Sequence, residues 1–414
     1  MSKFGPNVPL KKSDIIIGVG AFLLLALFIF QNPKVTVAYH FLLIPFLAIV
    51  NLVLFLPLLM MRQRFFKTRV GNVGWWAATV LVLVLSSALS DTPSASFSRL
   101  QLIFMIVLFA LIVREWLSRV GPSVVTPVAM GIALAHLGFL LLTVQATTQA
   151  AGLRVTDHSW VPFHTHVRHL SYHGMIAACL ATIVAGTQPR LRIPALALSA
   201  AAVGGLIFFG ARGSLYAWIA FAVFAVAVSA GIRKRLCVQL LSTLLLASAL
   251  SMSATSLGYT NPFHGSLNDR VSSVQSAVDT TGRVKIWEKA LGGLADSPIL
   301  GQGADGYRLT EWGTRGTVQP HNTVVQFLVE FGVLGCALIA ALLYKSFYHP
   351  TLQLFSAGGS SHAAITSRLI LACLGGIGVY SMVDGLLYHA IPMLLIAIIL
   401  ALYSVTVNEA GSTA

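Results

Sequence analysis

Along the chain, apolar runs near 20 residues in length alternate with short polar stretches. The runs fall at roughly 15–31, 36–60, 73–90, 98–117, 123–145, 172–187, 195–209, 213–230, 236–254, 322–345, 364–383 and 390–407. A helix needs about 20 apolar residues to cross a bilayer. Inside lipid a segment must satisfy its own backbone hydrogen bonds, which helices do. The pattern therefore predicts an all-α polytopic membrane protein of about twelve transmembrane helices. Lys11 and Lys12 precede IIIGVGAFLLLALFIF in the manner of a secretory signal. No small-residue cleavage site follows and further spans do, so an uncleaved first helix is expected.

Composition agrees. The chain is 56% hydrophobic and 10% charged, with a mean hydropathy of +0.81, whereas a soluble domain carries about 25% charged residues. A soluble protein is thereby excluded. The formal net charge is +14, but much of it follows a topological rule. Lys3, Lys11, Lys12, Arg62, Arg64, Lys67, Arg69, Arg114, Arg119, Arg190, Arg192, Arg233, Lys234, Arg235, Lys345 and Arg368 occupy alternate short segments. The intervening short loops 32–35 and 91–97 carry only Lys34. Positive loops stay in the cytoplasm, so both termini are predicted to be cytoplasmic. A nucleic-acid binder would show a basic face on a soluble domain, and none is present. Cys179, Cys237, Cys336 and Cys373 all fall within or beside spans, so disulfides are not expected.

The chain divides into 1–254, nine spans with a His/Arg-rich external segment at 146–171; a long external loop, 255–321; and 322–414, three further spans and a cytoplasmic tail. The long loop holds Arg270, Arg283, Lys285, Lys289, Arg308 and Arg315, and a tight hairpin, GARGS at 210–214, puts Arg212 at its tip. These cations oppose the topological rule, so they are candidates for binding an anion. Arginine suits paired contacts with phosphate oxygens. Within the loop, Val284, Trp287, Leu291 and Leu294 recur at helical spacing, which predicts an amphipathic helix on the membrane surface or over the spans.

The stretch QPHNTVVQFLVEFGVLG, 319–335, sets His321 and Asn322 at the mouth of a predicted span. The positive end of a helix favours a neutral ring able to accept a proton. It is equally an anion site, and equally a place where Asn caps and Pro starts a helix. Glu330 and His136 are the clearest ionisable residues deep in a span. On a regular helix Glu330 lies about 13 Å from His321 and turned roughly 180° away. His158, His164, His166, His169 and His173 form a cluster, of which His164, His166 and His169 could hold a divalent metal. With no Cys nearby and Asp157 the only local carboxylate, a polar rim or substrate groove is the favoured reading. There is no Walker loop, dinucleotide fingerprint, HExxH or nucleophile elbow.

Taken together, HNTVVQFLVEFGVLG, the upstream TGRVKIWEKALGGLADSPILGQGADGY and the hairpin GARGSLYAW resemble the bacterial O-antigen ligases of the O-antigen ligase/polymerase superfamily. The resemblance implies a GT-C-like glycosyltransferase architecture at the periplasmic face of the inner membrane, with the 255–321 loop forming short helices over a lateral opening to lipid. It implies transfer of a polysaccharide from undecaprenyl diphosphate to a sugar hydroxyl of lipid A–core in lipopolysaccharide biosynthesis. It gives His321 the catalytic role and matches Arg212 and Arg283 to functional arginines. Arg168, in VRHLSYHG, matches less closely, and the histidine-rich loop around it departs from the pattern. Arg270 and Asn322 stand as further donor-binding candidates, and Glu330 and His169 as supporting ones.

The chemistry of the residues is compatible. Arginines can neutralise a departing diphosphate and one histidine can serve as general base, so an inverting transfer with no metal or cofactor is expected. A retaining mechanism would need a carboxylate nucleophile, and only Glu330 is available. The alternatives are a polymerase or a protein O-oligosaccharyltransferase on the same donor, or, in another class, a lipid-linked sugar flippase. A transporter should show internal repeats and broken helices near the midplane. No repeat is evident in the sequence.

Overall fold

The computed structural model of the protein describes residues 40–60, 73–149, 167–259, 281–309, 318–356 and 361–412. These form 13 α-helices and no strand: α1 (His40–Met60), α2 (Val73–Ala88), α3 (Pro93–Val120), α4 (Val125–Gln149), α5 (Val167–Thr187), α6 (Arg192–Phe208), α7 (Arg212–Val228), α8 (Arg233–Ser256), α9 (Thr281–Leu294), α10 (Gly306–Leu309), α11 (Thr323–Ser356), α12 (His362–Val383) and α13 (Ala390–Ser412). Eight helices are long and apolar enough to cross a membrane, and three shorter apolar ones match further predicted runs. The first predicted run, 15–31, lies outside the described residues. The chain is an all-α, multi-pass membrane protein.

α5 is the centre. Every residue from Leu170 to Gly186 is buried, because Gly174, Ala177, Ala178, Ala181 and Ala185 let α4, α6, α7 and α12 close in on it. Two hydroxyls inside pair locally: Thr182 Oγ1 donates to the Ala178 carbonyl at 2.8 Å and meets Ser199 Oγ at 3.0 Å. α7 and α12 approach equally closely, and a Cβ at Gly376 would lie 2.8 Å from the Ala217 carbonyl oxygen. At the periphery, Val238, Leu241, Leu245 and Met252 of α8 are exposed, as expected of a lipid-facing helix.

Three expectations need correction. The predicted span 322–345 is not one regular helix. At Gly332 (φ 65°, ψ −174°) α11 leaves helical geometry, and the segment 297–303 enters the gap. Gln302 and Gly303 donate their N–H groups to the carbonyls of Val329 and Glu330, both at 2.8 Å. Val333 and Leu334 beyond the break donate to Pro298 and Ile299 at 2.9 and 3.2 Å. Backbone polar groups released by the break are thus paired again. The approach tolerates no side chain: a Cβ at Gly332 would lie 2.2 Å from the Ile299 carbonyl oxygen.

The second correction concerns α9. Its covered face is Ile286, Trp287 and Ala290, packed on Tyr307, Val325 and Val329, while Val284 and Leu291 of the predicted stripe are exposed. The packing partner is α11, whose position no periodicity within α9 reports. The third is that the spans hold more charge than Glu330 and His136: Arg99, in α3, is 2% exposed.

Candidate functional site

Several chain segments that look unrelated in sequence meet at one end of the bundle. Gly303 packs on Ser90 and Ser96 at the turn between α2 and α3, with a Cβ there only 2.6 Å from Ser90 Cβ. Gly213, at the start of α7, packs on the ring of Tyr380 near the end of α12, and Ser214 hydrogen-bonds the Tyr380 hydroxyl. His169, in the first turn of α5, lies edge-on to His389 with ring centroids 4.5 Å apart. Trp287 of α9 donates its indole N–H to the Pro320 carbonyl at 2.8 Å, which holds α9 over the segment carrying His321.

His321 is set by backbone as well as side chains. It adopts a left-handed φ of 58°, a conformation that costs energy in a non-glycine residue and is kept only where the surroundings impose it. Gln319 is one such constraint: its Oε1 accepts the His321 backbone N–H at 2.5 Å and its Nε2 lies 2.7 Å from His321 Nδ1. The other is Asp384, just past the end of α12, whose Oδ1 lies 3.0 Å from His321 Nδ1. The same oxygen accepts the Gly385 N–H at 2.8 Å. Of the two groups on Nδ1 the carboxylate can only accept, so pairing with it requires the Nδ1–H tautomer, in which Nε2 carries the lone pair. Gln319 Nε2 turns its N–H to the same Asp384 oxygen at 3.5 Å. A histidine held this way can take a proton from a hydroxyl.

Asn322 does what its alternative reading expected. Its Oδ1 accepts the N–H groups of Val324 and Val325 at 2.9 and 3.1 Å, capping α11. Its Nδ2 donates to the Met382 carbonyl at 3.1 Å, tying the helix start to the residues just before Asp384. Arg212 is the first residue of α7, on the helix end that touches Tyr380, so it belongs to the same neighbourhood as Asp384. Arg283, half-buried, lies one helical turn before Trp287 on the same face of α9. Arg168 belongs to the first turn of α5, but its side chain is outside the described residues. So are Arg270, His158, His164 and His166.

Glu330 does not meet His321. It is buried, accepts from Gln326 Nε2 at 3.0 Å and interacts with the charge of Arg99 and the backbone N–H of Asp305. It belongs to a second cluster beneath the first. There Asp305 Oδ1 accepts the Tyr388 hydroxyl at 2.9 Å, and Asp305 Oδ2 accepts from Arg308 Nε and Nη2 at 2.7 and 2.6 Å. Burial, and then the Asp305 charge, push the Tyr388 phenol well above its ordinary range, so it stays an O–H donor. The hydrogen bond to Asp305 raises Arg308 as well.

Sequence reading missed Asp384, Gln319, Arg99, Asp305 and Tyr388. One of them left a signal: Asp384 is a lone carboxylate followed by glycine at a predicted outer corner, in SMVDGLLYH. The others are marked only by packing.

With this geometry in place, comparison with known proteins is informative. Residues 197–340 match the family model described as O-antigen ligase, which supports the O-antigen ligase/polymerase superfamily and a glycosyltransferase-like enzyme. The matched stretch holds Arg212, Arg283, Asp305, His321 and Glu330, and ends before Asp384. No curated protein matches the chain.

Proposed function

From that superfamily match and the site geometry, we propose that the protein is an O-antigen ligase. It moves a polysaccharide from undecaprenyl diphosphate to a sugar hydroxyl of lipid A–core, at the periplasmic face of the inner membrane. The observation that carries the reading is the pairing of His321 Nδ1 with Asp384 at 3.0 Å, beside the helix end that bears Arg212.

In this mechanism the acceptor hydroxyl gives its proton to His321 Nε2 as its oxygen attacks the anomeric carbon of the donor sugar. The bond from that carbon to the diphosphate oxygen breaks on the opposite face, which inverts the configuration. Undecaprenyl diphosphate leaves with the electron pair. Arg212 and Arg283 meet the charge that grows on it, an interaction stronger in the transition state than in the bound donor. Asp384 holds the ring in the right tautomer and faces the imidazolium once it forms. Arg168 and Arg270 are further donor contacts, and His169 lines the same mouth. The diphosphate lies near the helix ends while the polyprenyl tail stays in lipid.

Purified full-length protein, undecaprenyl-diphosphate-linked polysaccharide and lipid A–core are mixed with a chelator and no nucleotide. Glycan joined to lipid A–core is the expected product. A lengthened donor with unmodified acceptor would make the protein a polymerase instead, and loss of product on chelation would overturn the metal-independent step.

A further inference from the structure

The cluster under the site contains an arginine that the mechanism does not use. Arg99 is fully inside the protein, and so are Asp305 and Tyr388, at 2%, 1% and 1% exposure. Arg99 Nη2 donates to the Tyr388 carbonyl at 2.7 Å, and its guanidinium carbon lies 4.5 Å from the centroid of the Tyr388 ring. The remaining Nε and Nη1 are buried with no hydrogen-bond acceptor among the described residues. A buried charge with unmade hydrogen bonds is expensive even with the Glu330 carboxylate interacting with it, and an apolar pair of the same volume in place of the two would often be at least as stable. Stability alone is therefore a poor reason for an arginine at this position.

Its neighbours suggest a better one. Arg99 grips Tyr388 by carbonyl and ring, and Asp305 grips it by the hydroxyl. The Tyr388 N–H donates to the Gly385 carbonyl at 2.9 Å, and the Gly385 N–H donates to Asp384 Oδ1. The oxygen that orients His321 thus belongs to a short corner, 384–389, whose far end is fixed from two sides. Asp305 arrives from just past the segment inserted at Gly332 and Arg99 from α3, so three separate parts of the chain must agree before Asp384 is in place.

We propose that Arg99, Asp305 and Tyr388 are positioning residues for the transfer reaction: they clamp the 384–389 corner so that Asp384 holds His321 in its working orientation. The inference rests on the ligase reading for its activity readout, but its geometric content stands apart from it.

Both are tested on the purified full-length protein. Tyr388→Phe removes one hydroxyl and keeps the ring, and it lowers kcat about tenfold with the KM for lipid-linked donor unchanged, the size expected of residues coupled through one network. Arg99→Met lowers kcat further, and Arg99→Lys, which keeps a donor for the Tyr388 carbonyl, recovers part of the loss. In an Asp384→Asn background the same substitutions cost less than twofold, because they act through the carboxylate already removed. Additive losses in that background would overturn the proposal, since a merely structural role does not depend on Asp384.

A second readout needs no turnover. Diethyl pyrocarbonate labelling, read by peptide mass spectrometry, follows His321 against the exposed His349 as reference. Tyr388→Phe is expected to change the relative labelling of His321 severalfold while His349 stays constant. Unchanged labelling at His321 would overturn the clamp even if the ligase assay succeeds. Changed labelling with a wild-type protein that transfers nothing would keep the clamp and reject the ligase.

Discussion

α11 has two irregular points, its start at His321–Asn322 and its break at Gly332, and the two are closed by opposite means. At the start, the side chain of Asn322 caps the first N–H groups, and side chains of Gln319 and Asp384 hold His321. At Gly332, backbone closes on backbone: the 297–303 segment supplies two donors and two acceptors to the broken helix. Side chains at the first site can act on a molecule that arrives. The second site is filled by the protein itself, which gives partners to the carbonyls of Val329 and Glu330 and the N–H groups of Val333 and Leu334. A transporter uses broken helices to line a binding site at the midplane, so the filled break weighs against that class.

The contrast is sharpest for His321→Ala. Removing a general base costs on the order of 10³-fold in turnover, and the substitution relieves a left-handed φ unfavourable to the original residue no more than to its replacement. Glycan transfer should fall by that factor while the thermal unfolding midpoint in detergent stays within a few degrees. Near-normal turnover would remove His321 from the chemistry. Asp384→Asn comes next, with a loss on the order of 100-fold, since an amide can no longer enforce the Nδ1–H tautomer or face an imidazolium. A KM for the lipid-linked donor that rises while kcat holds would place Asp384 in donor binding instead.

The start of α11 was readable because its function and its structure use the same few neighbouring residues. Pro320, His321 and Asn322 stand together in the sequence, and the periodic apolar run after them fixes a helix start. The break was not readable. Gly332 interrupts the apolar run no more than Gly335 does, and its partners lie about thirty residues upstream in a polar loop. Asp384 was half-legible as a lone outer carboxylate, but its pairing spans 63 positions. Arg99 was hidden for another reason: it stands near the end of a span, where a long cationic side chain is expected to reach for the interface, and here it turns inward to Tyr388.

At the break, Gly332→Ala should damage the fold first and touch the chemistry only through Asp305. The new Cβ would sit 2.2 Å from the Ile299 carbonyl oxygen, and the left-handed φ adds about 1–3 kcal/mol of backbone strain in a non-glycine residue. The expected result is a lower unfolding midpoint and less folded protein. Because the displaced segment leads directly into Asp305, the folded fraction also loses turnover, by no more than the roughly tenfold expected of Tyr388→Phe. Full stability would mean that the segment 297–303 can withdraw, making the break a hinge instead of a filled joint.

The smallest effect separates the two jobs of Asn322. Asn322→Ala removes both the cap on α11 and the tie to the Met382 carbonyl, with a stability loss of about 1 kcal/mol from the cap. Asn322→Ser restores an oxygen that can cap the helix, but its side chain is too short to span the distance to Met382. If the start of α11 is held only for stability, the serine variant returns to wild type in both unfolding midpoint and turnover. If the tie to Met382 also helps to set Asp384 against His321, the serine variant recovers its midpoint and keeps a severalfold deficit in kcat. The second outcome is expected, because Met382 lies two residues before the carboxylate that orients the base, and a helix start that drifts from α12 carries His321 away from Asp384.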